Sequence, residues 1–337
     1  MSLSNITGHD FQKEFLIKSV EKNRVASPYL FYGREGIGKR LIAIEFAKLL
    51  NCQRQVDRLS QNPGHECACA SCLKTESANH PDVTLVSPRD SSEIKVKQIR
   101  EQIEDLIYLK PYEGKYKISI IDDAESMNIN AQNAFLKTLE EPPADAVIIL
   151  ISSKPQYLLK TITSRCHSLE FFRMNDEAIE TAIKAKSELS AQLRGIAVRL
   201  SQGSLSKAFM LDEQLISERK RIIESISELH SDNPASLLEF VDSIAKDKTS
   251  SDLEYKMFFE TLFLWLKDIL YLKSDIDRKN LVHGDLTEIS AKFSEIWSVD
   301  YILELRAFLE QAWDSLLFRN VNKQFVLENL AIKFAKA

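Results

Sequence analysis

The stretch LFYGREGIGKR, Leu30 to Arg40, decides how this chain is read. A phosphate-binding loop follows the pattern G-x-x-x-x-G-K-[ST]. Its backbone N–H groups cradle phosphate oxygens, its lysine reaches the terminal phosphates, and its Ser/Thr hydroxyl coordinates Mg²⁺. Gly33, Gly38 and Lys39 meet the first three requirements, with Gly36 as a further glycine inside the loop. The fourth position holds Arg40, which has only donors and would set a positive charge beside the metal. A strand, Tyr29 to Tyr32, leads into the loop and a helix starting near Lys39 leads out. The phosphate site therefore faces a helix N-terminus. Context and spacing both point to a P-loop fold, and the missing hydroxyl argues against efficient hydrolysis.

Outward from this loop, PYLFYG, DVTLVSP, YKISIIDD and AVIILISS read as strands. Three of them are near-continuous apolar runs of the kind buried in a parallel sheet. Between them KRLIAIEFAKLL, VKQIREQIEDLIYL and NAQNAFLKTLEE carry apolar residues at helical spacing. This alternation is an α/β layout. From about Asn175 onward only helical periodicity remains, broken by loops such as SQGS (201–204) and HSDNPAS (230–236). The expected organisation is an α/β domain over 1–172, a small helical unit over 173–208 and a larger helical domain over 209–337.

A P-loop site needs acids at the end of a second strand, one to help hold Mg²⁺ and a neighbouring glutamate to position water. Asp122 and Asp123 stand there, and the second is the shorter acid. The plainer reading is two solvated acids at a strand-to-helix turn. Four of the five cysteines, Cys52, Cys67, Cys69 and Cys72, lie within NCQRQVDRLSQNPGHECACASC. Thiolates so spaced suit tetrahedral Zn²⁺, and a four-sulfur site is structural because no position stays open for water. His65 or His80 is an alternative fourth ligand, and free thiols are the plain alternative. Redox chemistry is disfavoured, since no C-x-x-C opens a helix of a thioredoxin-like unit.

Lys+Arg 44 against Asp+Glu 49 leaves −5 over 337 residues, so no basic excess marks a nucleic-acid or anionic-membrane binder. Charges interrupt every apolar run, including MFFETLFLWLKDILYL, and the opening MSLSNITGHDFQKEF lacks a signal-peptide layout. A cytoplasmic protein is expected, where reducing conditions favour metal over disulfide for clustered cysteines.

The stretch TSRC, Thr163 to Cys166, follows the last of these strands and a short helical turn. Alone, Arg165 reads as a surface or capping arginine. Displayed beyond the sheet of one P-loop module, it can instead reach a neighbouring subunit's nucleotide.

A P-loop with a cysteine-rich insertion, then DDAESM, AQNAFLKTLEEPP and TSRC in that order, resembles the AAA+ clamp-loader family of bacterial DNA polymerase III. The departures at Arg40 and Asp123 bring it nearer the delta-prime subunits than the gamma/tau motor subunits. The resemblance implies an α/β P-loop AAA+ module with a zinc-binding insertion (about 52–72), a helical lid domain and an all-α collar domain that ends in LLFRNVNKQFVLENLAI. It implies structural zinc on Cys52, Cys67, Cys69 and Cys72, although the family's C-x₂-C-x₂-C is shortened here at Cys67. It makes Gly33, Gly36, Gly38, Lys39, Arg40, Asp122 and Asp123 a degenerate ATP site, Arg165 a finger acting in trans, and KTLEEPP (137–143) part of an intersubunit surface. GSLSKA (203–208) resembles the start of a lid helix. The implied partners are gamma/tau and delta subunits in a ring, with the sliding clamp and primer-template DNA met through the assembly. The implied role is a component of a DNA-directed DNA polymerase that is itself neither polymerase nor efficient ATPase. The rivals are an active gamma/tau-like ATPase and a zinc-stabilised scaffold with a dead P-loop in another assembly.

Overall fold

The computed structural model describes residues 3, 6–54, 67–88, 93–186, 189–229, 241, 252–274, 276–318 and 322–335. The loop at 230–236, His65 and part of the cysteine-rich insertion lie outside them. The chain divides into two compact units, residues 1–182 with 203–206, and residues 183–202 with 207–337.

The first unit is built on a five-stranded sheet of β1 (Tyr29–Tyr32), β2 (Val83–Val86), β3 (Lys117–Ile121), β4 (Ala146–Ser152) and β5 (His167–Glu170). Their order across the sheet is β2-β3-β4-β1-β5. Every pairing is parallel, with Tyr29 opposite Ile149 on one side and His167 on the other. The four expected strands are present, and β3 and β4 are buried along their whole length. Successive side chains feed opposite layers, as the period of two requires. Tyr29, Phe31, Ile149 and Ile151 pack with Leu16 of α1 (Asp10–Glu21) and with Ile42 and Phe46 of α2 (Lys39–Leu50), while Leu30, Ile148 and Leu150 pack with Ile99, Ile103 and Phe135 on the other face. Helices therefore cover both faces, which parallel sheets need. The fifth strand was not foreseen, because in His-Ser-Leu-Glu only Leu169 is buried and an edge strand has little apolar signal.

The helix expected at 96–109 runs in three pieces: Val96–Ile99, a π-helical turn Arg100–Glu104, and Asp105–Ile107. Ile99, Ile103 and Ile107 stay buried through all three.

Among the described residues the second unit is all helix, from Glu213–Ser227 and Asp252–Lys273 to Thr287–Ile296, Val299–Phe318 and Lys323–Ala335. Its core centres on Trp265, whose ring lies 5.2 Å from Phe293 and 5.8 Å from Trp297. The indole N–H is satisfied by Ser290 Oγ at 3.1 Å, as a buried indole requires. Among the described residues no helix is long and apolar enough to cross a membrane.

Candidate functional site

Gly33, Gly36 and Gly38 lie in one turn between β1 and α2, and Lys39 opens α2. Gly33 continues from β1 with its N–H on Ser152 O (3.2 Å), at φ +143°. A Cβ there would stand 2.2 Å from Phe171 O, so the close approach of this loop to the end of β5 requires glycine. Gly38 caps α2. Lys39 Nζ donates to Gly33 O (2.6 Å) and Arg34 O (2.5 Å), which holds the lysine along the loop. Burial lowers its pKa, against the pull of Glu125, Asp122 and Asp123. The carbonyl of Gly36 accepts from Ser204 Oγ (2.8 Å) and Ser206 N (3.3 Å), and His9 Nε2 donates to Ile37 O (2.7 Å).

Arg40 Nη1 stands 3.3 Å from Asp122 Oδ2. The arginine at the fourth position of the loop pattern is thus paired with an acid at the end of β3. Burial still pushes the Asp122 carboxyl up, with Arg40 and Lys39 opposing it. Asp123 sits in the left-handed region (φ +50°) and is also pushed up, by burial and by Asp122. Sequence reasoning missed Glu125. It is the third acid of DDAE, and its Oε1 accepts from Ser153 N (3.0 Å) and Ser153 Oγ (2.6 Å). Burial works to raise its pKa, but the hydrogen bonds from Ser153 hold it below the usual glutamate value. The only local signal was its place in the same acidic turn.

The four cysteines Cys52, Cys67, Cys69 and Cys72 lie with their sulfur atoms all within 4.8 Å of one another. Tetrahedral zinc with thiolate ligands asks for S–S distances of about 3.8 Å. The donor set fits, with all four positions filled by sulfur. Cys52, Cys69 and Cys72 are buried. Burial pushes up the thiols of Cys52 and Cys72. Burial acts the same way on Cys69, but the N–H groups of Cys72 and Gln53 and neighbouring thiols outweigh it and bring Cys69 to about 7. His80 is not in the cluster. Its Nε2 bonds Ser71 Oγ at 2.9 Å. Cys69-x-x-Cys72 does open a short helix, Ala70–Glu76 (α3), but both cysteines belong to the four-sulfur group.

Beside this group lies Asp82, fully buried, whose carboxylate accepts from the N–H groups of Tyr112 (2.7 Å), Glu113 (2.8 Å) and Gly114 (2.8 Å) and from Lys117 Nζ (3.0 Å). Burial raises its pKa, but these donors prevail and hold it at about 2 against an ordinary 3.8. A depressed carboxyl stabilises the fold above its unfolded value and loses that contribution as pH falls through the folded value. The difference amounts to about 2 kcal/mol at neutral pH. Denaturant unfolding of wild type and Asp82→Asn should therefore differ by at least about 2 kcal/mol above about pH 4. The gap should narrow as pH falls toward about 2.

Arg165 lies at the end of a short helix (Lys160–Thr163). Its Nη2 is 2.6 Å from Glu140 Oε1 and its Nη1 donates to Thr161 O at 2.7 Å. Glu140 ends the helix Ile129–Glu140 and belongs to KTLEEPP, so two separately noted motifs meet at this ion pair. Lys207 pairs with Glu260 at 3.0 Å.

A parallel sheet carrying a P-loop helix, followed by helices alone, is the architecture of a P-loop module with a helical C-terminal part, and it resembles AAA+ clamp-loader folds. A gamma-subunit-related protein of DNA polymerase III from Thermotoga maritima has this fold. It superposes at a TM-score of 0.50 over 96% of this chain and 98% of its own, with 20% identity. The family described as DNA polymerase III, delta subunit matches residues 8–175, and that described as DNA polymerase III, delta subunit, C terminal matches residues 213–336. DNA polymerase III subunit delta′ of Bacillus subtilis is 30% identical over 95% of this chain and 94% of its own length. The subunit delta′ of Pseudomonas aeruginosa is 29% identical over 92% of each. The chain belongs to the delta-prime family of DNA polymerase III clamp-loader subunits.

Proposed function

We propose that this chain is the delta-prime member of a cytoplasmic clamp-loader ring with gamma/tau and delta subunits, helping to load the sliding clamp onto primed DNA. In this reading the chain contributes an arginine rather than an ATPase. Residues 173–208 form its lid domain and residues 209–337 the collar through which it assembles. The observation that carries the reading is the Arg40–Asp122 pair at 3.3 Å. An active P-loop site holds Mg²⁺ between a hydroxyl and a carboxylate, and the metal neutralises the charge that develops on the transferring phosphate. Here a guanidinium sits against that carboxylate. It offers no lone pair to a metal and repels one.

What remains is an anion cradle of Lys39 and the loop N–H groups, which works without metal. ATP bound there is expected to bind weakly and to be insensitive to removal of Mg²⁺. The isolated chain should hydrolyse ATP negligibly. Steady-state turnover on the order of 1 s⁻¹, abolished by Lys39→Ala, would instead make the chain a motor subunit. Reconstitution with purified motor and delta subunits, read out as clamp loading, tests the assembly itself. Loading that proceeds equally well without this chain would overturn the role.

A further inference from the structure

Five consecutive backbone N–H groups, Tyr112 to Tyr116, all donate to two side chains. The carboxylate of Asp82 takes the first three, and Asn51 Oδ1 takes Lys115 N (3.0 Å) and Tyr116 N (2.9 Å). Asn51 Nδ2 closes the grip by donating to Tyr116 O at 2.9 Å. Each of these backbone donors is paired with a side chain, so those side chains set the path of the loop. Gly114 fits against Asn51, since a Cβ there would lie 2.6 Å from the amide carbon and nitrogen. The loop displays Tyr112, which is 84% exposed.

Both gripping residues are tied to the four-cysteine group. Asn51 precedes Cys52, and its carbonyl accepts from Ser71 Oγ at 2.8 Å, between Cys69 and Cys72. With its one proton used there, Ser71 Oγ accepts from His80 Nε2. His80 Nδ1 then carries no proton and accepts from Asp82 N at 3.0 Å. A third tie runs from the same short helix, where Lys74 Nζ meets both carboxylate oxygens of Glu113 at 2.9 and 2.7 Å. Ser71 thus sits between the sulfur ligands and both grips on the loop.

We propose that the metal knuckle is the clasp of the 112–116 loop. A metal closed on Cys52, Cys67, Cys69 and Cys72 holds Asn51, Ser71 and Lys74 at the spacing that lets them bind the loop. Removal of the metal frees the loop while the sheet stays formed. This rests on the metal reading of the cysteine group.

The test is amide hydrogen exchange on the full chain, zinc-loaded and chelator-treated, with metal content measured on the same samples. When the metal leaves, exchange of the amides of 112–116 is expected to rise by at least about tenfold more than that of β3 and β4, whose exchange rises only with the overall loss of stability of the sheet unit. Zinc present and then removed with the loop amides unchanged overturns the clasp alone. A chain that takes up no zinc overturns the metal reading and the clasp with it. If chelation opens β3 and β4 as well, Ser71→Ala in the zinc-loaded chain decides. That variant keeps every sulfur ligand and breaks the link to Asn51 and His80. Faster exchange over 112–116 at unchanged zinc content supports the clasp, and unchanged exchange overturns it.

Discussion

Replacing Arg165 by alanine is expected to leave the chain folded and assembled and to lower the DNA- and clamp-stimulated ATPase of the reconstituted ring. The stability side follows from exposure. The Arg165 side chain is 35% exposed and that of Glu140 48%, and a partly exposed pair of this kind contributes about 1 kcal/mol or less. The catalytic side follows from charge. A finger stabilises the transferring phosphate only in the transition state, and its loss costs on the order of 10³ or more at the site it serves. Total ATPase should fall by less, because the other sites of the ring keep their fingers. In the free chain Glu140 and Thr161 O hold the guanidinium. Assembly would exchange that carboxylate for the neighbour's phosphate, which a planar fork serves as readily. Arg165→Lys keeps the charge, loses the fork and should recover only part of the rate. Steady-state ATPase and clamp loading, measured after gel filtration confirms equal assembly, read the result. Equal rates for wild type and Arg165→Ala would leave Arg165 as a capping residue and the chain as a rigid member of the ring.

Removal of the metal should have the largest effect on stability. Zinc is expected at about one per chain, and metal analysis of carefully reduced, untagged protein that finds none would remove this claim. The sulfur atoms of Cys52 and Cys67 meet 3.6 Å apart across 15 residues of chain. Closing a loop of that length is worth about 3 kcal/mol in the chain-entropy account, before any contribution from the metal–sulfur bonds. For a unit of this size that corresponds to a fall in melting temperature of at least about 6–12 °C. Calorimetry with and without chelator should show the shift in the transition of the sheet unit and no comparable shift in that of the helical unit. Cys72→Ser should reproduce the chelated behaviour, since it removes the fully buried ligand. Neither treatment should change nucleotide chemistry.

The sequence by itself determined the parallel sheet, the spacing of the P-loop and the arginine at its fourth position. β3 and β4 are buried on both faces, so their apolar runs are continuous and legible without knowledge of neighbours. Gly33, Gly38 and Lys39 are readable because the loop's requirements are local in the chain, and Arg40 is a local exception to them. The cysteine spacing pointed to a metal for the same reason. Only the tertiary structure decided what the polar residues do. Asp122 became the partner of Arg40 because β3 and β1 both flank β4, which brings residues far apart in sequence to one end of the sheet. Glu125 reached Ser153 by the same route, and Arg165 met Glu140 across two helices. β5 emerged only through its pairing with β1, as an edge strand with one buried residue. His80 could have been a ligand on spacing alone, and its bonds to Ser71 Oγ and from Asp82 N removed it from the set. A polar side chain carries several hydrogen-bonding choices, and the sequence does not say which partner the fold will place within 3 Å.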